Sequence, residues 1–149
     1  MLITIRDDMI EALKDLGLFK TVDVWKGELP DLKMQARSLP SAYVALSFGE
    51  FSKIKTMPPR DARLVMQWDV YLFMGGLSAS QTVTTAGYEL IEAVSAKASD
   101  GGLTGMVTAA GLLWPADLEL AAADNGVIVY RLGFGIECQV PAYVPPAPE

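Results

Sequence analysis

Histidine is absent from the 149 residues of this chain, and cysteine occurs only once. The missing imidazole removes the commonest general base, the usual member of a catalytic triad and the usual zinc partner. A lone cysteine cannot close an intrachain disulfide, so the sequence carries no sign of an oxidising compartment. Cys138 lies in phase with Phe134 and Ile136 on an apolar stripe. We therefore expect it to be a core residue rather than a nucleophile.

Lysine and arginine are also few, at 12 residues against 18 aspartates and glutamates, which gives a formal net charge of −6. Binding to a phosphate backbone needs concentrated cations, because counterion release drives it. We expect no specific nucleic acid among the partners. No apolar run reaches the roughly 20 residues of a membrane-spanning helix, so we expect no membrane partner. The N-terminus is acidic at Asp7 and Asp8 and lacks the basic start of a signal peptide, which predicts a cytoplasmic location.

Two segments have the apolar spacing of amphipathic helices. The first places four apolar residues on one stripe, ends at Gly17, and begins with Thr4 and Asp7, which resemble a capping pair. The second follows Ser78 and Gln81, which have the spacing of a capping box. Their apolar stripes are Ile5, Met9, Leu13 and Leu16 in the first, and Val83, Ala86, Leu90, Ile91, Val94 and Ala98 in the second.

Alternation of apolar and other residues predicts five strands. They cover 21–25, 42–48, 62–74, 112–120 and 127–140. Because hairpins and a helical connection both occur, we predict an α+β fold with a mixed or antiparallel sheet of about five strands packed by two helices. Residues 1–140 are expected to form a single domain. Residues 141–149, with four prolines, are expected to form a C-terminal tail.

Sequence motifs for cofactors are missing from the chain. No glycine-rich phosphate loop opens a helix, and no nucleophile elbow occurs, so we expect no cofactor. The run Gly133-Phe134-Gly135 lies inside a predicted strand, where glycine indicates bending or close packing.

Carboxylates are the only remaining candidates for catalysis. Asp69 and Glu137 occupy the less apolar faces of two long strands, and Asp117 and Glu119 share a face of another. A carboxylate pair can act as acid and base if burial separates the two pKa values. The alternative is a solvated face that pairs with Arg131. We predict that the chain is not an enzyme, since a site needs a pocket and converging groups.

The segment from Phe51 to Arg63 has four cations and one acid, and apolar residues lie between the cations. One interpretation is an exposed, solvated hairpin. The other is a docking arm that grips an acidic neighbouring subunit through apolar anchors and charge. The candidate interface residues of this arm are Phe51, Lys53, Ile54, Lys55, Met57, Arg60 and Arg63.

The order of these elements resembles a known family. Its features are a short amphipathic helix, a proline followed by an apolar strand at residues 39–46, a central strand at 66–72 and a second helix at 86–94, before a final apolar strand. This pattern is similar to that of Mu-like prophage tail proteins of about this size. It resembles, more distantly, the tail-terminator proteins of long-tailed phages and R-type pyocins.

The resemblance implies a structural role in virion assembly for a tail-terminator-like domain at residues 1–140. Such proteins form a ring, usually of six subunits, that caps the tail tube and joins it to the head or collar. The implied partners are further copies of the chain, the tail tube or sheath protein, and a head connector. The implied location is the virion, after assembly in the host cytoplasm, and no catalytic or metal residues are implied. The alternative role is another head–tail connector or a tail-assembly chaperone.

Overall fold

The computed structural model describes residues 2–25, 39–53, 62–75, 85–99, 107–108, 111–124, 126–140 and 146–147. These residues contain two helices and seven strands. The helices are α1 (Leu2–Asp15) and α2 (Thr85–Ser99). The strands are β1 (Thr21–Val24), β2 (Ser41–Lys53), β3 (Ala62–Gly75), β4 (Val107–Thr108), β5 (Gly111–Leu112), β6 (Trp114–Asp124) and β7 (Val127–Val140).

Five of the strands form one sheet in the order β1-β2-β3-β7-β6, and β4 and β5 form a separate pair. β1 runs parallel to β2, and the other neighbouring strands of the sheet are antiparallel. Helix α1 contacts β1 and β2, and α2 contacts β3 and β6. The predicted α+β fold with a mixed five-stranded sheet and two helices is therefore confirmed.

One face of the sheet, here called the helix-covered face, carries the main core. The predicted alternation is confirmed on both long central strands, whose even-numbered residues are buried there or packed against the core. These residues are Leu64, Met66, Trp68, Val70, Leu72 and Met74 of β3, and Ile128, Tyr130, Leu132, Phe134, Ile136 and Cys138 of β7. Burial of one large apolar side chain contributes about 1.5–3 kcal/mol, so these two strands fix the sheet in place.

Helix α1 packs its apolar stripe onto this face. Ile5, Met9 and Leu13 are fully buried, as their helical spacing predicts. The helix stops where Gly17 adopts a φ of 68° and donates its N–H to the Lys14 carbonyl, at 3.0 Å. The predicted cap at Thr4 is wrong, because the helix already begins at Leu2 and Thr4 lies inside it. Tertiary packing routinely overrides such local preferences.

The opposite face, here called the open face, carries Val65, Gln67, Asp69, Tyr71 and Phe73 of β3. A smaller cluster covers one end of it, where Phe73, Val127 and Val129 are buried. Trp25 packs against this cluster and stacks on Tyr71, with ring centroids 4.6 Å apart. The other end of the open face carries polar and exposed side chains.

Three irregularities change which side chains reach which face. The β2–β3 register shifts between Leu46 and Phe48. The β6–β7 register shifts between Pro115 and Asp117 and again between Leu120 and Ala122. The second shift lies next to Pro115, which has no backbone N–H to donate to the ladder. Because of the first, Phe48 lies across from Gln67 on the open face, whereas Phe51 lies across from Leu64 on the helix-covered face.

The capping box predicted at Ser78 and Gln81 and most of the tail predicted at 141–149 lie outside the described residues. Within the part of the chain that the structure describes, no helix has the length and apolar character needed to span a bilayer.

Candidate interaction surface

On the open face, one arginine contacts three carboxylates. Arg131 Nη1 donates to Asp69 Oδ1 at 2.9 Å, and its guanidinium also binds both carboxylate oxygens of Asp117, at 3.1 and 3.0 Å. Glu119 Oε2 lies 3.4 Å from Nη2. One cation among three carboxylates leaves a formal charge of −2, and we call these four residues the Arg131 cluster.

Strand register brings the Arg131 cluster together. Asp69 and Asp117 lie opposite Gly133 from the two sides, and Glu119 lies opposite Arg131. Gly133 has no side chain, so the guanidinium lies in the space between the two aspartates. The sequence analysis suggested a solvated carboxylate face that pairs with Arg131. The pairing is confirmed for Asp69, Asp117 and Glu119, but Asp69 is buried, at 2% exposure, and is therefore not solvated.

Burial distinguishes the members of this cluster. The side chain of Asp69 is 3% exposed and that of Arg131 is 13% exposed, whereas Asp117 and Glu119 are 49% and 61% exposed. Asp69 also accepts a hydrogen bond from Gln67 Nε2, at 3.0 Å. The hydrogen bond that Arg131 donates to Asp117 is the largest cause of its raised pKa. Burial alone would lower this pKa, but the hydrogen bonds to Asp69 and Glu119 raise it further. The arginine therefore stays charged and donates a charge-assisted hydrogen bond to the buried Asp69.

Replacing Gly133 with Ala is expected to lower the free energy of unfolding by about 1 kcal/mol. An added Cβ collides with Asp117 Oδ1 and comes within 3.0 Å of Arg131 Nη1, so Asp117 has to leave the arginine. Gly135→Ala is the matched control, because a Cβ there meets nothing within 4 Å. Urea unfolding of both variants measures the difference. Equal effects would contradict the role given to Gly133.

Asp69 and Glu137 do not form the carboxylate pair considered from the sequence. Glu137 lies opposite Val65, and Asp69 lies opposite Gly133. The two positions are therefore about 13 Å apart along the sheet, at about 3.3 Å per residue. Glu137 instead binds Arg63, with Arg63 Nε 2.6 Å from Glu137 Oε1 and Nη2 2.6 Å from Oε2. Each acid thus has its own arginine.

A hollow on the open face is lined by Val65, Trp114, Gly135, Ile136 and Glu137, and Asp69 is not part of it. Among the described residues, no group of three or more cysteine, aspartate or glutamate side chains has an arrangement that holds a metal ion.

Cys138 is 8% exposed and belongs to the main core, as predicted. Burial raises the pKa of its thiol, which disfavours the nucleophilic thiolate.

The described ends of the predicted docking arm belong to two long strands. β2 continues to Lys53, which pairs with Ala62 at the start of β3. Phe51 is 67% exposed, as an anchor requires. Arg63 is bound to Glu137, so this cation already has a partner within the chain. The candidate residues Ile54, Lys55, Met57 and Arg60 lie outside the described residues.

Exposed apolar side chains concentrate at the two ends of the sheet. At the β6 end, Trp114, Leu118 and Leu120 are 61%, 51% and 55% exposed. At the β2 end, Leu46, Phe48 and Phe51 are 43%, 60% and 67% exposed. Phe48 and Trp114 lie on the open face, and the other four lie on the helix-covered face. Exposed apolar groups concentrated on outer strands are typical of surfaces that meet another protein. The sequence analysis identified Phe51 and missed the rest, because alternation predicts which residues share a face but not whether that face is covered.

An apolar groove of about 360 Å³ lies beside the exposed part of β2. It runs between the start of α1, with Leu2 and Ile3, and the strand residues Ala45 and Leu46. Trp68 also lines it and is 4% exposed, and its Nε1 has no hydrogen-bond partner among the described residues. A buried donor without an acceptor costs about 1–3 kcal/mol until a partner supplies one.

Comparison with known proteins does not place the chain in a family. No family model matches it, and no curated protein matches it. The surfaces described above are therefore the observations from which a function has to be argued.

Proposed function

We propose that the protein is a structural subunit of a virion, a tail terminator or tail-completion ring protein that caps the tail tube and joins it to the head or collar. The observation that carries this proposal is the concentration of exposed apolar side chains at both ends of one sheet. A closed ring needs a heterologous contact, in which two different surfaces of each subunit meet. Two such surfaces at opposite ends of the sheet fit that requirement, and the order of elements resembles the tail-terminator proteins.

The proposed partners are further copies of the chain, in a ring of six by resemblance, together with the tail tube or sheath protein and a head connector. The proposed location is the virion, after assembly in the host cytoplasm. A non-enzymatic role agrees with the separate arginine partners of Asp69 and Glu137. A net charge of −6 supports a ring through which DNA passes, because an acidic wall repels the phosphate backbone.

Deletion of the gene from the phage or prophage tests this proposal. We expect particles without the protein to have tails of uncontrolled length, measured by negative-stain electron microscopy, because nothing stops polymerisation of the tube. Complementation with the intact gene is the control and is expected to restore one length. Tails of normal length in the deletion strain would count against a terminator.

The alternative role is a head–tail connector or a tail-assembly chaperone, which would use the same exposed surfaces. Immunogold labelling of finished particles separates these roles. A terminator is expected at the end of the tail next to the head, whereas a chaperone is expected to be missing from finished particles.

A further inference from the structure

The apolar groove beside β2 offers side-chain hydrogen-bond donors and no side-chain acceptors among the described residues that line it. Its polar side chains are those of Arg6, Trp25 and Trp68, and guanidinium and indole groups donate hydrogen bonds but accept none. The other described lining side chains are aliphatic, namely Leu2, Ile3, Val24, Val44, Ala45 and Leu46. A group that fills this groove therefore needs an apolar body that carries hydrogen-bond acceptors.

Trp68 supplies the donor of this groove that most needs an acceptor. Its side chain lines the groove, the residue is 4% exposed, and Nε1 has no partner among the described residues. A buried indole N–H usually has a hydrogen-bond partner, because leaving it without one is costly. A carbonyl or carboxylate oxygen carried into the groove would be such a partner.

The end of the groove at α1 favours a negative charge. Leu2, the first residue of α1, lines the groove, and the first turn of the helix contains no acid, so the positive end of the helix dipole lies there. Arg6 lines the same end. Its Nε binds Asp7, at 2.9 Å, and the guanidinium has further donors. Asp7 itself is not among the described residues that line the groove.

Residues 141–149, here called the proline-rich segment, have the complementary composition. Four of the nine residues are prolines, which lack a backbone N–H, so the segment is rich in carbonyl acceptors and poor in donors. It contains no lysine or arginine, and Glu149 is its single acid. Docking into an aromatic-lined groove is a recurrent way in which proline-rich segments are recognised.

The direction of β7 carries this segment away from the groove of its own chain. Trp68 pairs with Phe134, whereas Val140 at the end of β7 pairs with Ala62. The strand thus passes the level of Trp68 six residues before its end and continues away from it by about 20 Å, at about 3.3 Å per residue. Proline-rich chains are extended and semi-rigid, which disfavours a return. Pro146 and Ala147 are accordingly exposed.

We infer that the groove between α1 and β2 binds the proline-rich segment of a second copy of this chain, with a carbonyl oxygen of the segment on Trp68 Nε1 and the Glu149 carboxylate at Arg6. Two different surfaces of the chain meet in this contact, which is therefore heterologous and can close a ring. The inference names one contact between neighbouring subunits and to that extent rests on the proposed function.

Binding of a synthetic peptide tests the occupant of the groove. Fluorescence anisotropy of a labelled peptide with the sequence of residues 141–149 is followed as the full chain is added. We expect saturable binding, and about fivefold weaker binding by W68F, which keeps an aromatic ring and loses one hydrogen-bond donor. W114F is the matched control and is expected to bind like the native chain, since Trp114 is 61% exposed and lies outside the groove.

Peptide variants test the same contact without any change to the protein. A peptide with E149K is expected to bind more weakly than the native sequence, because it sets a cation against Arg6. Lack of saturable binding by the native peptide, or equal binding by W68F and W114F, would overturn the inference. Equally tight binding of a peptide with the same residues in scrambled order would show that the groove takes any apolar acidic segment, and would overturn the assignment of its occupant.

Charge reversal in the full chain tests whether the segment comes from a second copy. Sedimentation velocity of the native chain at high concentration is expected to show species larger than a monomer. R6E sets two acids against each other and E149K sets two cations against each other, so each variant alone is expected to associate more weakly. An equimolar mixture is expected to regain the native association, because every groove then meets a segment of opposite charge on the other variant.

K14E is the control for charge reversal, since Lys14 is exposed on the same helix and does not line the groove. It is expected to associate like the native chain. A strictly monomeric native chain would contradict the contact between copies. A mixture that associates no better than the separate variants would contradict it as well, because docking of the segment within one chain cannot be rescued by mixing.

These results are separable from the test of the proposed function. Restored association in the mixture, together with phage tails of normal length in the deletion strain, keeps the contact and removes the terminator role. Phage tails of uncontrolled length without restored association keep the terminator role and remove the contact.

Discussion

Replacing Arg131 with Ala is expected to lower the free energy of unfolding by about 3 kcal/mol, at the lower end of the effect of breaking a buried ion pair. The reason is Asp69, whose side chain is 3% exposed and would lose its cation. Gln67 still donates one hydrogen bond to it, which limits the loss. Urea unfolding at one fixed protein concentration measures the effect, because association between copies adds to the apparent stability.

Arg63→Ala is the matched control for this prediction. Arg63 also makes a two-point contact with a carboxylate, Glu137, but both side chains are about half exposed. Exposed ion pairs contribute about 0–1 kcal/mol, so this loss is expected to stay below about 1 kcal/mol. In the double variant R131A/D69N, the neutral amide removes the buried charge, and part of the lost stability is expected to return. Equal losses for Arg63→Ala and Arg131→Ala would show that burial does not set the importance of Arg131.

Replacing Phe73 with Ala is expected to lower the free energy of unfolding by about 3–5 kcal/mol, the usual cost of truncating a fully buried phenylalanine. Phe73 is 0% exposed on the open face, where its ring lies against Tyr43 with centroids 5.2 Å apart. Trp25 stacks on the same cluster, with centroids 6.2 Å from Phe73. Guanidinium unfolding measures the loss, and near-ultraviolet circular dichroism reports the loosened packing of Trp25.

Phe51→Ala provides the comparison, because it makes the same change at a side chain that is 67% exposed in the neighbouring strand. Its effect on unfolding is expected to stay within about 0.5 kcal/mol. Its effect is instead expected in association with a partner subunit, since Phe51 belongs to the exposed apolar side chains of β2. A large loss of stability from Phe51→Ala would contradict its assignment to an interaction surface.

The central strands illustrate how much of the fold periodicity predicts. Alternation from Ala62 to Met74 and from Val127 to Val140 identifies the residues of the core face, and the structure buries nearly all of them. This works because side chains of a strand point to opposite faces in turn, so a one-sided apolar pattern has one favourable orientation. Register is less visible from sequence. Asp69 lies near Arg131 and far from Glu137 only because β3 and β7 pair as they do.

The sequence by itself determined that this chain is an α+β protein with one strongly apolar sheet face, that Cys138 is buried, and that the commonest catalytic and zinc-binding side chain is missing. Tertiary structure alone decided that β7 lies between β3 and β6 and that β1 covers only the beginning of β2. Those two facts leave Leu118, Leu120 and Phe51 at open edges. The physical reason is that strands pair through backbone hydrogen bonds, which every residue except proline supplies alike. Side-chain periodicity therefore specifies the face of a strand, whereas strand order and exposed edges depend on the packing of the whole chain.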